Sequence, residues 1–291
     1  MVETSSLAPM TTPPRSTSAA LSFAGVADAY ERARPGYPDE AVAWLLAGDG
    51  GDHHPQRIVE LGAGTGKLTH SLTGHGAGDR TVVATDPLGP MLRHLARTAP
   101  DAMAAFGTAE QIPVRRRWAD VVVGAQAFHW FDQDRALPEI ARVLRPGGRI
   151  ALAWNLRDER IPWVKRLGRL IGTPEQHTDP TLDLLATGLF GFVEQAQFRF
   201  WQPLDRDRLH DLVTSRSNVA SMDDAQRQQV LADVDELYDG YGRGADGMLL
   251  PYVTHCFRAV ARASADPDDD GDGLVDPPTD DDSDNLLIDF R

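Results

Sequence analysis

The sequence has a single cysteine, Cys256, and no long uninterrupted run of apolar residues. One cysteine cannot form a disulfide within the chain, and a membrane-spanning helix needs roughly 18 consecutive apolar residues. The first 22 residues are rich in Ser, Thr and Pro and lack the apolar segment of a secretory signal. We therefore expect a cytoplasmic protein that does not enter a membrane.

Positive charge is also scarce, which bears on the binding of nucleic acid. The formal net charge is -14, but residues 265–291 hold eleven Asp and one Arg and so account for -10 of it, leaving -4 for the rest of the chain. That near-neutral part has no basic stripe, so we expect no nucleic-acid partner. The nine histidines are dispersed without Cys or carboxylate partners at ligand spacing, so we predict no metal site.

Both ends of the sequence have compositions that argue against a packed core. We predict a flexible leader at residues 1–22 and a disordered acidic tail at 265–291. Carboxylates alternate around glycines at 268–276 as in calcium-binding loops, but a flanking helix and a Glu at the twelfth position are missing. We interpret the tail as a solubilising segment and residues 23–264 as one domain.

Strand and helix patterns alternate through the first half of that domain. Apolar runs predict strands at 57–61, 81–85, 102–106, 119–124 and 149–154, with helices between them at 65–72, 89–98 and 134–144. Parallel strands joined by right-handed crossovers follow from this order, so we predict a doubly wound, Rossmann-like α/β sheet. Such sheets bind ligands at the carboxyl ends of their strands.

The second half is predicted to complete the sheet and to add helices. Strands are expected at 193–201 and 249–261, and helices at 157–170, 180–185, 205–215 and 223–241, besides two early helices at 23–33 and 39–46. The sheet would then have seven strands. We expect a helical lid, which determines the acceptor, from three segments at about 23–37, 155–185 and 205–241.

A glycine-rich loop, ELGAGTG at residues 60–66, follows the first predicted strand. Glycine lets the backbone approach a ligand closely, and the helix that follows offers free N–H groups. A nucleotide-phosphate loop is excluded because Lys67 is followed by Leu68 rather than Ser or Thr. A dinucleotide fingerprint is excluded because the third glycine, Gly66, comes only two positions after Gly64.

The spacing Glu-x-Gly-x-Gly-x-Gly at a strand end resembles the first motif of the class I S-adenosylmethionine-dependent methyltransferases. The resemblance implies that Glu60, Gly62, Ala63 and Gly64 bind this cofactor. It also implies that Asp86, at the end of the second strand, accepts hydrogen bonds from both ribose hydroxyls. An N-cap of the following helix is the alternative role for Asp86.

The segment GTAEQIP at 107–113 resembles the family's loop beside the adenine ring. Thr108 stands where the family commonly has Asp, which would accept a hydrogen bond from the adenine amino group. Adenine recognition would then depend on backbone groups of Thr108 and Ala109, with Glu110 beside them. For the last strand, the resemblance implies an antiparallel orientation.

The run GAQAFHWFD at 124–132 occupies the position that the family places between cofactor and acceptor. The resemblance implies a cofactor contact for Gln126. His129 is the candidate catalytic residue, as a general base or as a hydrogen-bond donor to a carboxylate, and a structural histidine is the alternative. The segment VLRPGG at 143–148 matches the family as a helix end and turn, which supports the fold only.

A narrower resemblance lies at 30–38, YERARPGYP, which is similar to a segment of the methyltransferase-11 group that includes the trans-aconitate methyltransferases. It implies that Tyr30 and Arg34 lie over the cofactor, with Arg34 available to pair with its carboxylate. An Arg that caps a surface turn is the alternative.

Residues on the acceptor side are assigned from their chemistry. Tyr37, Trp130 and Trp154 would form apolar walls, and Arg157 or Arg216 would bind an acidic substrate.

The sequence therefore predicts an S-adenosylmethionine-dependent methyltransferase that acts on a small molecule, with oxygen as the methylated atom and a carboxylate as one candidate acceptor. An RNA methyltransferase is a second hypothesis, which the near-neutral charge disfavours. A non-catalytic cofactor-binding or partner-docking protein, with the acidic tail as its working part, is a third. A monomer and a homodimer are both compatible with the sequence.

Overall fold

A computed structural model describes residues 34–48, 56–74, 79–171, 179–241 and 247–262. The predicted leader at 1–22, the predicted helix at 23–33 and the predicted tail at 265–291 lie outside the described residues. No helix of the described part is long and apolar enough to cross a membrane. Within the same part, no group of three or more His, Cys, Asp or Glu residues is arranged to hold a metal ion.

Seven strands form one mixed sheet, as the sequence predicts. They are β1 (Gln56–Leu61), β2 (Arg80–Asp86), β3 (Met103–Phe106), β4 (Ala119–Ala125), β5 (Leu144–Arg157), β6 (Phe190–Leu204) and β7 (Met248–Ala261). Their order across the sheet is β3-β2-β1-β4-β5-β7-β6. The first five strands pair in parallel, and β7 is antiparallel to both of its neighbours, β5 and β6. This order confirms the doubly wound fold with an antiparallel last strand.

Helices cover both faces of the sheet. They are α1 (Asp39–Leu46), α2 (Lys67–Thr73), α3 (Gly89–Thr98), α4 (Gln133–Val143), α5 (Pro162–Leu170), α6 (Thr181–Ala186), α7 (Arg206–Thr214), α8 (Ser217–Ala220) and α9 (Asp224–Tyr241). Apolar side chains of α1 and α2 pack on one face of the central strands. Those of α4 and α6 pack on the other, because alternate residues of a strand point to opposite faces.

A separate hydrophobic cluster lies where β6 and β7 extend beyond the end of β5. Side chains of α5, α7, α8 and α9 pack there against Leu204, Leu250 and Tyr252. These four helices are called the lid helices below. The helix α6 falls within the predicted lid segment 155–185, but its Leu184 packs into the core of the sheet.

The largest difference from the predicted elements is at the end of β5. The sequence predicts a helix from 157, yet β5 continues through Leu156 and Arg157, which pair with Val253 and Tyr252 of β7. The following helix begins only at Pro162. β5 is longer than its apolar pattern suggests, because β7 supplies backbone hydrogen bonds to residues of β5 beyond the apolar run.

The last turn of α1 is held to the sheet by Arg258 of β7. One guanidinium nitrogen of Arg258 donates hydrogen bonds to the carbonyl oxygens of Trp44 and Ala47, at 2.8 and 3.1 Å. The group also lies 4.4 Å from the centre of the Trp44 ring and pairs with Glu194 at 2.7 Å. A helix end leaves carbonyl groups without helical partners, and here a cation binds them.

We expect the variant Arg258→Met to destabilise the protein by about 2 kcal/mol, because it keeps the apolar stem but leaves these carbonyls and Glu194 without their donor. Urea unfolding followed by circular dichroism measures the loss. The matched control is Arg166→Met, which removes an exposed ion pair with Glu236 and should cost less than about 0.5 kcal/mol. Equal losses in the two variants would contradict the assigned role.

Candidate active site

The glycine loop leaves β1 at the carboxyl edge of the sheet, between the ends of β2 and β4. Gly62 and Gly64 have φ of +65° and +58°, a conformation that favours glycine. A Cβ added to Gly62 would lie 2.7 Å from the Cβ of Ala127, so this glycine allows the loop after β4 to pack against it. A Cβ on Gly64 would meet no atom of the described residues within 4 Å, so this part of the chain leaves space over the loop there.

Asp86 holds the glycine loop to the end of β2. One carboxylate oxygen accepts a hydrogen bond from the N–H of Gly64 at 2.9 Å, and the other accepts from the N–H of Leu88 at 2.8 Å. Burial raises the pKa of Asp86, and these two N–H groups act in the opposite direction. Leu88, not Asp86, is the N-cap residue of α3, and no side chain caps that helix, so the bond to Leu88 orders the turn before α3 and is not the N-cap considered above. Each oxygen retains a lone pair that a hydroxyl group could use.

Glu60 lies beneath the loop and is 2% exposed. Its carboxyl group accepts a hydrogen bond from the hydroxyl of Thr69 in α2 at 2.6 Å. Burial raises the pKa of Glu60 to about 8, the Thr69 hydrogen bond opposes that rise, and the nearby charge of Asp86 adds to it. At neutral pH this carboxyl is therefore mainly protonated, which the motif alone does not reveal.

The turn at 107–113 makes internal hydrogen bonds. The N–H of Thr108 donates to the carbonyl oxygen of Gln111 at 3.3 Å, and the N–H of Gln111 donates to the backbone carbonyl oxygen of Thr108 at 3.2 Å. The Thr108 N–H is thus used within the turn, and Ala109 beside it is buried against the core of the sheet. A carboxylate oxygen of Glu110 accepts from the N–H of Asp132 at 2.8 Å, so Glu110 links this turn to the loop after β4.

Gln126 begins the loop after β4 in an uncommon conformation, with φ of +56°. Its backbone N–H donates to the carbonyl of Ala153 at 2.9 Å, and its side-chain amide donates to the carbonyl of Asn155 at 3.0 Å. Non-glycine residues with positive φ cost energy and often occur at functional sites. These two bonds to β5 hold the residue in place.

His129 lies in a short 3-10 turn three residues further on. Its Nδ1 is buried and has no hydrogen-bond partner among the described residues. Burial lowers the pKa of His129, so its imidazole is neutral at neutral pH. Trp130 lies beside it, with ring centres 5.0 Å apart, and is 43% exposed. A neutral imidazole has one ring nitrogen that can accept a proton or a hydrogen bond, and the buried Nδ1 could do so only for a group that enters the interior.

The structure corrects the role assigned to Trp154. This side chain is 1% exposed and packs edge-on against Phe128 and Phe257 in the core. The alternation along β5 turns position 154 towards α4, on the face opposite to Ala153. It therefore has no surface to offer an acceptor. The mistake arose because a strand-end position indicates closeness to the site but not which face the side chain takes.

Of the other predicted acceptor residues, Trp130 is exposed, whereas Arg157, Arg216 and Tyr37 are buried or partly buried. Arg157 and Arg216 are both buried, and Arg157 lies 3.5 Å from a carboxylate oxygen of Glu159. Tyr37 is partly buried and packs with the apolar residues of α1. Arg34 is described and partly buried, and Tyr30 lies outside the described residues.

Two polar residues near the site were not among the predicted ones. Asn155 and Thr254 are buried at paired positions of β5 and β7, with a hydrogen bond of 2.7 Å from the Thr254 hydroxyl to the Asn155 side chain. A polar residue that ends the apolar run of β5 is a signal that could have identified Asn155. Thr254 gives no such signal, because a Thr is common in strands.

The carboxyl edge of the sheet could accommodate a ligand beside the glycine loop. Among the described residues no atom lies within 4 Å of a Cβ position built at Gly64, and the carboxylate of Asp86 is at the neighbouring strand end.

Known proteins match this chain in sequence. A family model described as a methyltransferase domain matches residues 59–152. An uncharacterized methyltransferase of Mycobacterium tuberculosis is 43% identical over 243 residues, which are 82% of this chain and 96% of that protein. The malonyl-[acyl-carrier protein] O-methyltransferase of Methylococcus capsulatus is 36% identical over 117 residues, or 38% of this chain and 42% of that protein.

A solved structure also has the same fold. A protein from Anaeromyxobacter dehalogenans assigned as a type II methyltransferase superposes with a TM-score of 0.56 at 22% identity, over 79% of this chain and 97% of that chain. At this identity the likeness concerns the fold alone.

We expect the variant Glu60→Gln to change how stability depends on pH. Glu60 has a pKa of about 8 when folded against an ordinary 4.5, so its contribution to stability is full below pH 4.5 and is lost as pH rises to about 8. Gln is neutral throughout, so the unfolding free energy of the variant minus that of the wild type should grow by up to about 5 kcal/mol between pH 5 and 9.

Urea unfolding at several pH values measures this difference. The control is Glu236→Gln, since the side chain of Glu236 is 73% exposed and its removal should give no comparable slope. A flat difference for Glu60→Gln would mean that the carboxyl is ionised in the folded protein.

Proposed function

We propose that the methyl acceptor of this protein is a small molecule and that the methyl group is transferred to an oxygen atom. The chain belongs to the S-adenosylmethionine-dependent methyltransferase family. Family membership follows from 43% identity over most of both chains to an uncharacterized methyltransferase. The acceptor class is supported by the neutral His129, two residues after the Ala127 that packs against Gly62, and the proposal chiefly depends on this observation.

The cofactor would be held along the carboxyl edge of the sheet. We assign the backbone at Gly62, Ala63 and Gly64 to its amino-acid part, Asp86 to the ribose, and Ala109 to the adenine. Glu60 beneath the loop would favour a cationic group above it by ionising. When bound, S-adenosylmethionine supplies a methyl group on a positively charged sulfur, and the chain's own residues position the acceptor and exclude water.

His129 is assigned the role of general base or hydrogen-bond partner of the acceptor oxygen. A hydroxyl must lose a proton as it is methylated, and a ring nitrogen of the neutral imidazole could take it, Nδ1 only if the acceptor reaches its buried position. A carboxylate is already ionised and needs only positioning. The malonyl-[acyl-carrier protein] O-methyltransferase matched by part of this chain supports oxygen as the methylated atom.

The structure gives less support to the binding of an acidic acceptor by Arg157 or Arg216 than the sequence alone suggested. Arg157 and Arg216 could still attract an acidic acceptor, but their buried side chains could touch it only after a rearrangement of the lid helices. Of the residues assigned to the acceptor from the sequence, Trp130 has the largest recorded exposure, at 43%, so we assign it the apolar wall.

The cofactor assignment is tested by titrating the protein with S-adenosylhomocysteine and with NAD in a calorimeter. We expect binding of the former only, and at least 100-fold weaker binding by Gly64→Val, whose side chain would fill the open space. The control is Gly147→Val, because Gly147 also has positive φ and no described atom within 4 Å of its Cβ position, but lies in the first part of β5. Binding of NAD alone would refute the cofactor assignment.

The role of His129 is tested by following labelled methyl transfer into a mixture of small acids and alcohols, with transfer RNA offered separately. We expect small-molecule products, and a loss of about 10²-fold or more in kcat for His129→Asn with a hydroxyl acceptor. Because burial lowers the pKa of His129, the rate should fall only below about pH 6.5 in the wild type.

An unchanged rate in His129→Asn, or labelling of transfer RNA alone, would refute this part of the proposal. A product that releases its label in base would be an ester and would identify a carboxylate acceptor, for which no loss of rate at low pH from His129 is expected.

A further inference from the structure

Asn155 joins three separate parts of the chain at the end of β5. Its side-chain amide donates a hydrogen bond to the carbonyl oxygen of Gly36 at 2.9 Å, across 119 positions of sequence. Its side-chain oxygen accepts from the hydroxyl of Thr254 at 2.7 Å, and its backbone carbonyl accepts from the side chain of Gln126 at 3.0 Å. Asn155 is 2% exposed, its bond to Thr254 is buried, and its bonds to Gly36 and Gln126 are partly buried.

The chemistry of its partners determines which way the Asn155 amide points. The carbonyl of Gly36 can only accept, so the amide nitrogen must face it and the amide oxygen must face Thr254. A buried amide without partners would cost several kcal/mol, so the side chain is stable only while Gly36 stays in place. The hydrogen bonding of the Asn155 side chain therefore depends on the position of the backbone at Gly36.

The same residue is connected to the glycine loop through Gln126. Gln126 is bound by β5 at both its backbone and its side chain, and the next residue, Ala127, packs directly against Gly62. A shift of Asn155 would therefore displace Gln126 and relax the contact at Gly62. Contacts of this kind carry energetic coupling between the segment at 34–38 and the cofactor end of the sheet.

We infer that Asn155 is a positioning residue that holds the segment 34–38 against the sheet and couples its position to cofactor binding at the glycine loop. The inference rests on the proposed cofactor site. The neighbouring groups that face Asn155 from β7, the β4 loop and the segment itself are uncharged, namely Thr254, Gln126 and Gly36. The nearest charge along its own strand is that of Arg157.

Two variants separate the two side-chain hydrogen bonds. Asn155→Asp, when ionised, keeps the acceptor for Thr254 but cannot donate to Gly36. Thr254→Val keeps the shape of β7 and the bond to Gly36 but removes the other bond. A third variant, Asn155→Leu, has no donor at any pH. Thermal unfolding identifies the variants that fold. The test requires only one of the two Asn155 variants to fold.

We expect the Asn155 variants to bind S-adenosylhomocysteine at least 10-fold more weakly than the wild type at pH 8, and Thr254→Val to change the affinity less than 3-fold. In the methyl-transfer assay the loss should appear as a higher KM for S-adenosylmethionine with kcat nearly unchanged. Amide hydrogen exchange in peptides covering 34–40 should be faster in the Asn155 variants than in the wild type, with or without cofactor. It should not be faster in Thr254→Val.

Equal effects of Asn155→Asp and Thr254→Val, or unchanged exchange at 34–40 in a folded Asn155 variant, would overturn the inference. If the wild type itself fails to bind S-adenosylhomocysteine, the proposed cofactor site is wrong instead. Hydrogen exchange at 34–40 then still decides whether Asn155 holds this segment.

Discussion

The contact between Gly62 and Ala127 is the constraint on which the site depends. A side chain at position 62 would collide with Ala127, so the two loops that follow β1 and β4 can lie together only because this residue is a glycine. Asp86 holds the same loop from the other side through the N–H of Gly64. The ends of β1, β2 and β4 are thereby joined at the glycine loop.

Burial gives the polar groups of this edge properties that they would not have in water. Glu60 becomes a mainly neutral acid and His129 a neutral base, in both cases because the charged form is poorly solvated inside the protein. Groups with pKa values moved by burial are common where ligands bind and react. Here Glu60 stands at the start of the glycine loop, and His129 stands in the loop after β4, two residues after the Ala127 that packs against Gly62.

The doubly wound sheet and the glycine loop could be predicted from the sequence because both depend on local signals. Alternating apolar patterns identify strands and helices, and the spacing of Gly62, Gly64 and Gly66 identifies the loop. The end of β5 could not be predicted, since its last residues are strand only because β7 pairs with them. The burial of Trp154 was missed for a related reason, because its face depends on what packs over the sheet.

By itself the sequence determined the family, the order of strands and helices, and the residues that stand at the carboxyl ends of the strands. Only the tertiary structure decided what those residues do there. It pairs Asp86 with Gly64, links Glu110 to Asp132, and brings Asn155 to Gly36 across 119 positions. Hydrogen bonds between distant segments leave no periodic pattern in a sequence, because each depends on how the packed elements meet in space.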